Sequence, residues 1–290
     1  MLCLAIRLCL GRLSYSFLKL RKRPRRRLRR RLAAGFRDCF YGIPGTDPPA
    51  MTLEWAMAEL IKNPKYMRKA QEEVRRVVKD KGKVEDSDLQ YLPYLHNVVK
   101  ETLRLHPPGP LLLPHECIID TKINGYDILT KTRVFINAWA IARDAKFWSD
   151  EPEAFRPERF EKMGDVDFKG HHFELIPFGA GRRICPGMML GVVAVELALA
   201  NVLNRFDWEL PCGMRCEEMD MSEAGFRMVS HKKVPLTVVA IPAVIRKKGN
   251  KKKLRLIVLT QIAIKQAWML SILIRFVVFD TIFCNNLSTK

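Results

Sequence analysis

The chain has 290 residues, 48% of them hydrophobic, enough to bury one large core or two modest ones, which excludes a wholly disordered or fibrous class. Its net charge of +19 sits at the two ends: residues 1–40 carry 13 Lys and Arg against Asp38 alone, residues 243–290 carry 10 against Asp280 alone, and residues 41–242 balance at 27 basic and 29 acidic. So balanced a middle has no field for steering onto a phosphate backbone, and eight scattered cysteines make no disulfide scaffold, so a reducing compartment fits.

Met1 to Leu20 is apolar but interrupted by Arg7, Arg12 and Lys19, and Arg21 to Arg31 then holds nine basic residues broken by Pro24 and Leu28. Three readings stay open for this stretch: a poor signal anchor with its C-terminal side in the cytosol, an organelle transit peptide, or a solvated basic arm. From Met51 apolar residues recur at three- and four-residue spacing (Leu53, Met57, Leu60, Ile61), which predicts an amphipathic helix stopping near Asn63-Pro64. A second helix is expected over Tyr66 to Val78, charged on one face, and a third over Leu95 to Leu105, ending at His106-Pro107-Pro108. Cys117 to Thr121 and Thr132 to Asn137 read as strands, with Asn124-Gly125 at the turn between them.

Asp144 to Phe173 is loop-rich. Met188 to Arg205 reads as a strongly apolar helix starting just after Pro186-Gly187, and the strand-like Val234 to Ile241 closes the domain. Beyond Pro242 a basic stretch leads into a hydrophobic tail, Leu254 to Phe283, in which Leu256 to Ile274 is long enough to span a bilayer although Gln261, Lys265 and Gln266 weaken that reading. Composition therefore divides the chain into a basic segment 1–43, a domain 44–242 and a basic, hydrophobic tail 243–290. Cys212 and Cys216 are close in sequence, but no second pair at a suitable spacing completes a tetrahedral zinc site.

One stretch carries chemistry: Phe178-Gly179-Ala180-Gly181-Arg182-Arg183-Ile184-Cys185-Pro186-Gly187. A haem iron that activates oxygen needs one soft, electron-rich axial ligand held rigidly, and a cysteine thiolate supplies it. The glycines permit a tight loop close to a porphyrin, and Pro186-Gly187 leads into a helix whose N-terminal dipole favours a thiolate at Cys185. Arg183 has the charge to pair with a haem propionate.

The ten residues match the haem-loop signature F-x-x-G-x-R-x-C-x-G at every fixed position, and the chain resembles the cytochrome P450 family. Glu101-Thr102-Leu103-Arg104 is similar to the family's E-x-x-R, and Pro157-Glu158-Arg159-Phe160 to its P-E-R-F segment. The stretches Lys100 to Pro114, Asn137-Ala138-Trp139-Ala140-Ile141 and Phe173 to Phe178 resemble the plant A-type microsomal enzymes. The resemblance implies a mainly α fold with a small β-sheet, the proximal, C-terminal half of the family's fold, in which the helices Leu95 to Leu105 and Met188 to Arg205 pack near each other around the haem loop. It implies haem b (iron protoporphyrin IX) with Cys185 on the iron, a propionate partner in Arg183, and Phe178, Gly181 and Gly187 shaping the loop. His115 stands where relatives direct an Arg or His at a propionate, and a surface histidine before Glu116 is the alternative. Glu101, Arg104 and Arg159 would form a buried triad, and Pro110, Leu111, Leu112 and Phe226 would face substrate. The implied activity is that of a monooxygenase of the endoplasmic reticulum membrane, on its cytosolic face. It would insert one atom of O2 into a small apolar specialised metabolite with electrons from NADPH through the NADPH–cytochrome P450 reductase.

Two departures qualify this. The family's oxygen-activating segment matches Pro44-Gly45-Thr46-Asp47-Pro48-Pro49, which keeps Gly45 and the acid Asp47 but has Pro48 where the proton-delivering threonine stands. Consecutive prolines should also break the helix that crosses the distal face, so impaired turnover is expected. The resemblance runs only over Gly45 to Pro242, so the chain reads as truncated, with foreign ends. The alternatives are an inactive remnant or weak haem binder and, third, a basic protein in which Arg21 to Arg31 binds nucleic acid or anionic lipid. Few aromatics interleave with that block, which speaks against nucleic acid, while membrane association stays open.

Overall fold

The computed structural model describes residues 45–164, 166–224, 229–243 and 257–258. Six α-helices stand among them: α1 over 45–62, α2 Pro64–Val78, α3 Pro93–Leu105, α4 Ala138–Ile141, α5 Arg159–Lys162 and α6 Met188–Arg205. The strands are β1 His115–Glu116, β2 Thr121–Ile123, β3 Tyr126–Ile128, β4 Arg133–Val134, β5 Phe206–Glu209, β6 Thr237–Pro242 and β7 Ile257–Val258. The fold is mainly helical with small sheets.

The core forms where the apolar faces of the four long helices meet. Trp55, Met57 and Leu60 from α1, Val74 from α2, Val98, Val99 and Leu103 from α3, and Leu199 and Leu203 from α6 are all buried in one cluster. Full burial of such a side chain stabilises by roughly 1.5–3 kcal/mol each. The apolarity of α6, the one described helix long and apolar enough to cross a membrane, thus has a use inside the core at Val192, Val195 and Leu199. Polar ties set the angles. The Glu73 carboxylate of α2 accepts the amides of Tyr94 and Leu95, both at 2.9 Å, and so caps α3, whose own N-cap residue Leu92 has no side chain to do it. Arg75 donates from the same helix to the Leu203 carbonyl and pairs with Asp207 at 2.8 Å, fixing the end of α6, and His96 of α3 meets Glu196 of α6.

Three expectations are corrected. Pro48 and Pro49 do not break α1: residues 45–50 are helical through both. Proline's fixed φ is itself helical, and the lost N–H groups are outweighed because the following turns bury Trp55, Met57, Leu60 and Ile61. The strands at the turn are also displaced. Asn124 and Gly125, at φ 49° and 87°, join β2 to β3, while Cys117 to Asp120 and Phe135 to Asn137 are not strand. Every residue of β2 is exposed, so no alternation of burial marked it, and β1 pairs outside it with β4, His115 opposite Val134. The closing strand starts at Thr237 rather than Val234 and pairs with β5, Asp207 opposite Ile241, and with β7, Val238 opposite Ile257. The expectations for the basic segment 1–43 and for the tail beyond residue 243, apart from 257–258, lie outside the described residues.

Candidate functional site

The segment Phe178 to Gly187 folds back on itself. The Cys185 amide donates to the Phe178 carbonyl at 3.0 Å, closing the loop, and a 3₁₀ turn, Gly181–Arg183, forms its outer end. Gly179 and Gly181 adopt φ 73° and 71°, a left-handed conformation that side chains resist, so the loop needs glycine at both points. The Met188 amide returns to the Cys185 carbonyl at 3.3 Å, so α6 starts directly from the cysteine. Cys185 is a free thiol, exposed, beside exposed Arg182, Arg183 and Gly187. On the first turn of α6, Met189 and Leu190 are 56% and 68% exposed, an uncommon position for large apolar groups. Phe178, partly buried, stacks edge-on with Phe168 at 5.5 Å between centroids.

A residue that sequence reasoning missed supports the loop from beneath. Gly170 holds φ 85°, a left-handed conformation that favours glycine, and a Cβ there would come within 2.9 Å of Ile184 Cδ1, so the preceding segment lies close against the loop. Its position fifteen residues before the cysteine carried no motif.

Glu101, Arg104 and Arg159 meet in the interior. Arg104 donates to Glu101 from Nε at 2.8 Å and Nη2 at 2.9 Å, and Arg159 Nε donates to Glu101 Oε1 at 2.9 Å. Glu101 and Arg104 have no exposed surface. The remaining guanidinium hydrogens go to backbone carbonyls of the irregular stretch before α5: Ala142, Pro152 and Ala154 for Arg104, and Asp150, Glu151 and Ala154 for Arg159. Buried Trp148, which sequence reasoning also missed, lies with its ring 5.0 Å from the Arg104 guanidinium and 6.0 Å from that of Arg159. Three charged side chains thus hold a segment that has almost no regular structure of its own.

The other candidates are distributed around this frame. His115 is half-buried in β1, in register with Val134. Asp47 lies half-buried in α1 and accepts a bond from Thr46 at 3.3 Å. Thr52 donates its hydroxyl to the Pro48 carbonyl at 2.9 Å, and Pro48 and Pro49 line a small apolar cavity of about 30 Å³ with Val99, Leu103, Phe178 and Val192. Helix α1 therefore abuts the haem-loop end of α6. Pro110 accepts from the Trp139 amide at 3.1 Å, Leu111 is exposed, and Leu112 has φ 51° with Cδ1 3.9 Å from where a Cβ on Gly179 would stand. Phe226 lies outside the described residues.

A cytochrome P450 family profile matches residues 40–236, about two thirds of the chain. The chain belongs to the cytochrome P450 family. Cytochrome P450 71A1 of Persea americana is 58% identical over 212 residues, covering 73% of this chain and 41% of the relative. A strychnine-11-hydroxylase of Strychnos nux-vomica is 57% identical over 200 residues, 69% of this chain and 39% of the relative. A phenylacetaldehyde oxime monooxygenase of Prunus mume is 52% identical over 207 residues, 71% of this chain and 38% of the relative. The similarity is to the plant A-type branch, and the chain spans about two fifths of the length of these relatives. A haem-iron cofactor goes with the family, and the residues present fit one: the described residues hold no cluster of three His, Cys, Asp or Glu for a bare metal ion, but they hold a single exposed thiol on a glycine-built loop, with apolar surface and two arginines beside it.

Proposed function

We propose that this chain carries the haem-thiolate half of a monooxygenase, holding haem b with Cys185 as the axial ligand. The single observation that supports it best is the loop geometry: a free, exposed cysteine whose amide is tied to the Phe178 carbonyl, at the start of α6. Bound haem would supply the activation of O2, for which a thiolate ligand donates electron density. The chain's own residues do the rest. The loop fixes the sulfur at the N-terminus of α6, Arg183 and His115 would offer N–H donors to propionates, and Met189 and Leu190 would give the macrocycle an apolar bed. Glu101, Arg104 and Arg159 hold the stretch 142–156 in place.

Pro110, Leu111 and Leu112 would border a small apolar organic substrate. Electrons from NADPH would arrive through a flavoprotein reductase at the cytosolic face of the endoplasmic reticulum. Asp47 is the remaining candidate for proton delivery, since Pro48 offers no hydroxyl. That last observation favours a second reading, a haem holder with uncoupled or absent turnover.

The test is the carbon monoxide difference spectrum of the reduced, haem-reconstituted chain beside Cys185→Ser. The red-shifted Soret band of a thiolate-ligated haem is expected in the first and absent in the second. Its absence from both removes the proposal.

A further inference from the structure

His106, the residue after α3, is 8% exposed and carries a polar cluster that the haem reading does not use. Its ring lies flat on Trp55 of α1, centroids 3.8 Å apart and planes within 1°. Each ring nitrogen faces a carboxylate: Nε2 is 2.8 Å from Glu59 Oε1 and Nδ1 is 3.3 Å from Glu223 Oε1. The other oxygen of Glu223 accepts the Ser230 hydroxyl at 3.1 Å, and the Ser230 amide donates to the Pro108 carbonyl at 2.9 Å. Glu223 and Lys232 sit opposite each other in an antiparallel bridge, and the Lys232 ammonium binds the Asp220 carbonyl and lies 4.9 Å from the Trp55 ring centre. The cluster therefore closes a ring: α1, the end of α3, the strand-like pair around 223 and 232, and back to Pro108, two residues beyond the histidine.

Pro108 is the start of a segment that borders the haem loop. It lines the small apolar cavity together with Phe178, and Leu112 Cδ1 lies 3.9 Å from where a Cβ on Gly179 would stand. Leu112 holds φ 51°, a left-handed backbone conformation that is strained for a non-glycine residue and persists only when its surroundings enforce it. The enforcing contacts are the Leu112 amide to the Gly109 carbonyl and the tie from Ser230 to Pro108.

We infer that His106 is a positioning residue: bridged between Glu59 and Glu223, it fixes the segment 108–112 against Phe178 and Gly179 and so sets the resting geometry of the haem loop. The inference rests on reading 178–187 as that loop. A histidine merely satisfied in a core would lower global stability on replacement and leave the loop's local behaviour unchanged.

The experiment compares the full chain with His106→Phe, which keeps the flat ring over Trp55 but loses both ring-nitrogen contacts, and with Glu223→Gln, which keeps His106 and Glu59. Backbone hydrogen exchange is followed at the Leu112, Gly179 and Cys185 amides, each of which donates to a backbone carbonyl, with α2 and α6 as internal references, in the haem-free and haem-reconstituted chains. Expected is a loss of protection of about tenfold to a hundredfold at the Leu112, Gly179 and Cys185 amides, the worth of one charge-assisted hydrogen bond, with the helices unchanged. The carbon monoxide band of the variants should shift or broaden while remaining thiolate-type. Unchanged exchange at those sites in both variants overturns the inference, as does a uniform loss across all elements. If His106→Phe fails to fold, Glu223→Gln decides alone. If the parent chain shows no thiolate band, the monooxygenase proposal fails, and exchange in the haem-free chain still decides this one.

Discussion

The Glu101 carboxylate receives Arg104, Arg159 and also the Arg156 amide at 2.8 Å, all within a site closed to solvent. Removing one charge of such a group leaves the others buried and uncompensated, which costs about 3–5 kcal/mol. Glu101→Gln should therefore lower the urea midpoint by that equivalent, and Arg159→Lys should recover little of it, because an ammonium does not reproduce the fork that reaches Asp150, Glu151 and Ala154 together. A milder dependence attaches to Glu223. Burial works against its charge, but the bond and attraction from His106 and the Ser230 hydroxyl, with Arg143 adding at longer range, outweigh burial and hold its pKa below the usual carboxylate range. A depressed folded pKa gives stability that is present above the unfolded value of about 4.3 and lost as pH falls through the folded value. Glu223→Gln should therefore be less stable than the parent at neutral pH, with the difference shrinking as the pH falls below about 4, so that acid unfolding followed by circular dichroism begins at no higher pH in the parent than in the variant. The Glu101–Arg104 pair could be read from sequence because its three-residue spacing marks it. Glu223 could not, since its partner His106 is 117 residues away and an isolated glutamate carries no periodicity.

Helix α1 shows how position within a helix tempers local propensity. Pro48 stands in the first turn of the described helix, where proline costs less than the roughly 3 kcal/mol of a helix interior, and residues 45–62 are helical with Trp55, Met57 and Leu60 fully buried beyond it. Pro48→Thr restores both an N–H and a hydroxyl. Expected are a higher melting temperature and, in the reductase-coupled reaction, more product per NADPH consumed. Unchanged coupling would mean that position 48 does not serve proton delivery. Helix α6 was legible to the residue, Met188 to Arg205, because Pro186-Gly187 marks its start and an apolar run fills its length. The hairpin β2–β3 was not, although its Asn-Gly turn was found. Its strands are solvent-facing, and period-two patterning exists only where one face is buried.

Over the whole molecule, large apolar side chains stay exposed on and beside one hairpin: Ile118, Ile119, Ile123, Tyr126 and Leu129 are 54–80% exposed, and apolar groups left open to water favour association. The purified chain should sediment as a mixture of associated species, and Ile118→Lys with Ile119→Lys should shift it toward monomer without altering its helical content. The stack of His106 on Trp55 also has an optical consequence. An indole held flat against an imidazole and near a lysine ammonium should emit weakly, because the packed ring and the ammonium both offer the excited indole non-radiative routes. Loosening the segment around Pro108 would separate the rings and brighten Trp55, giving the protein a built-in lamp that switches on when the support beneath its cysteine loop gives way.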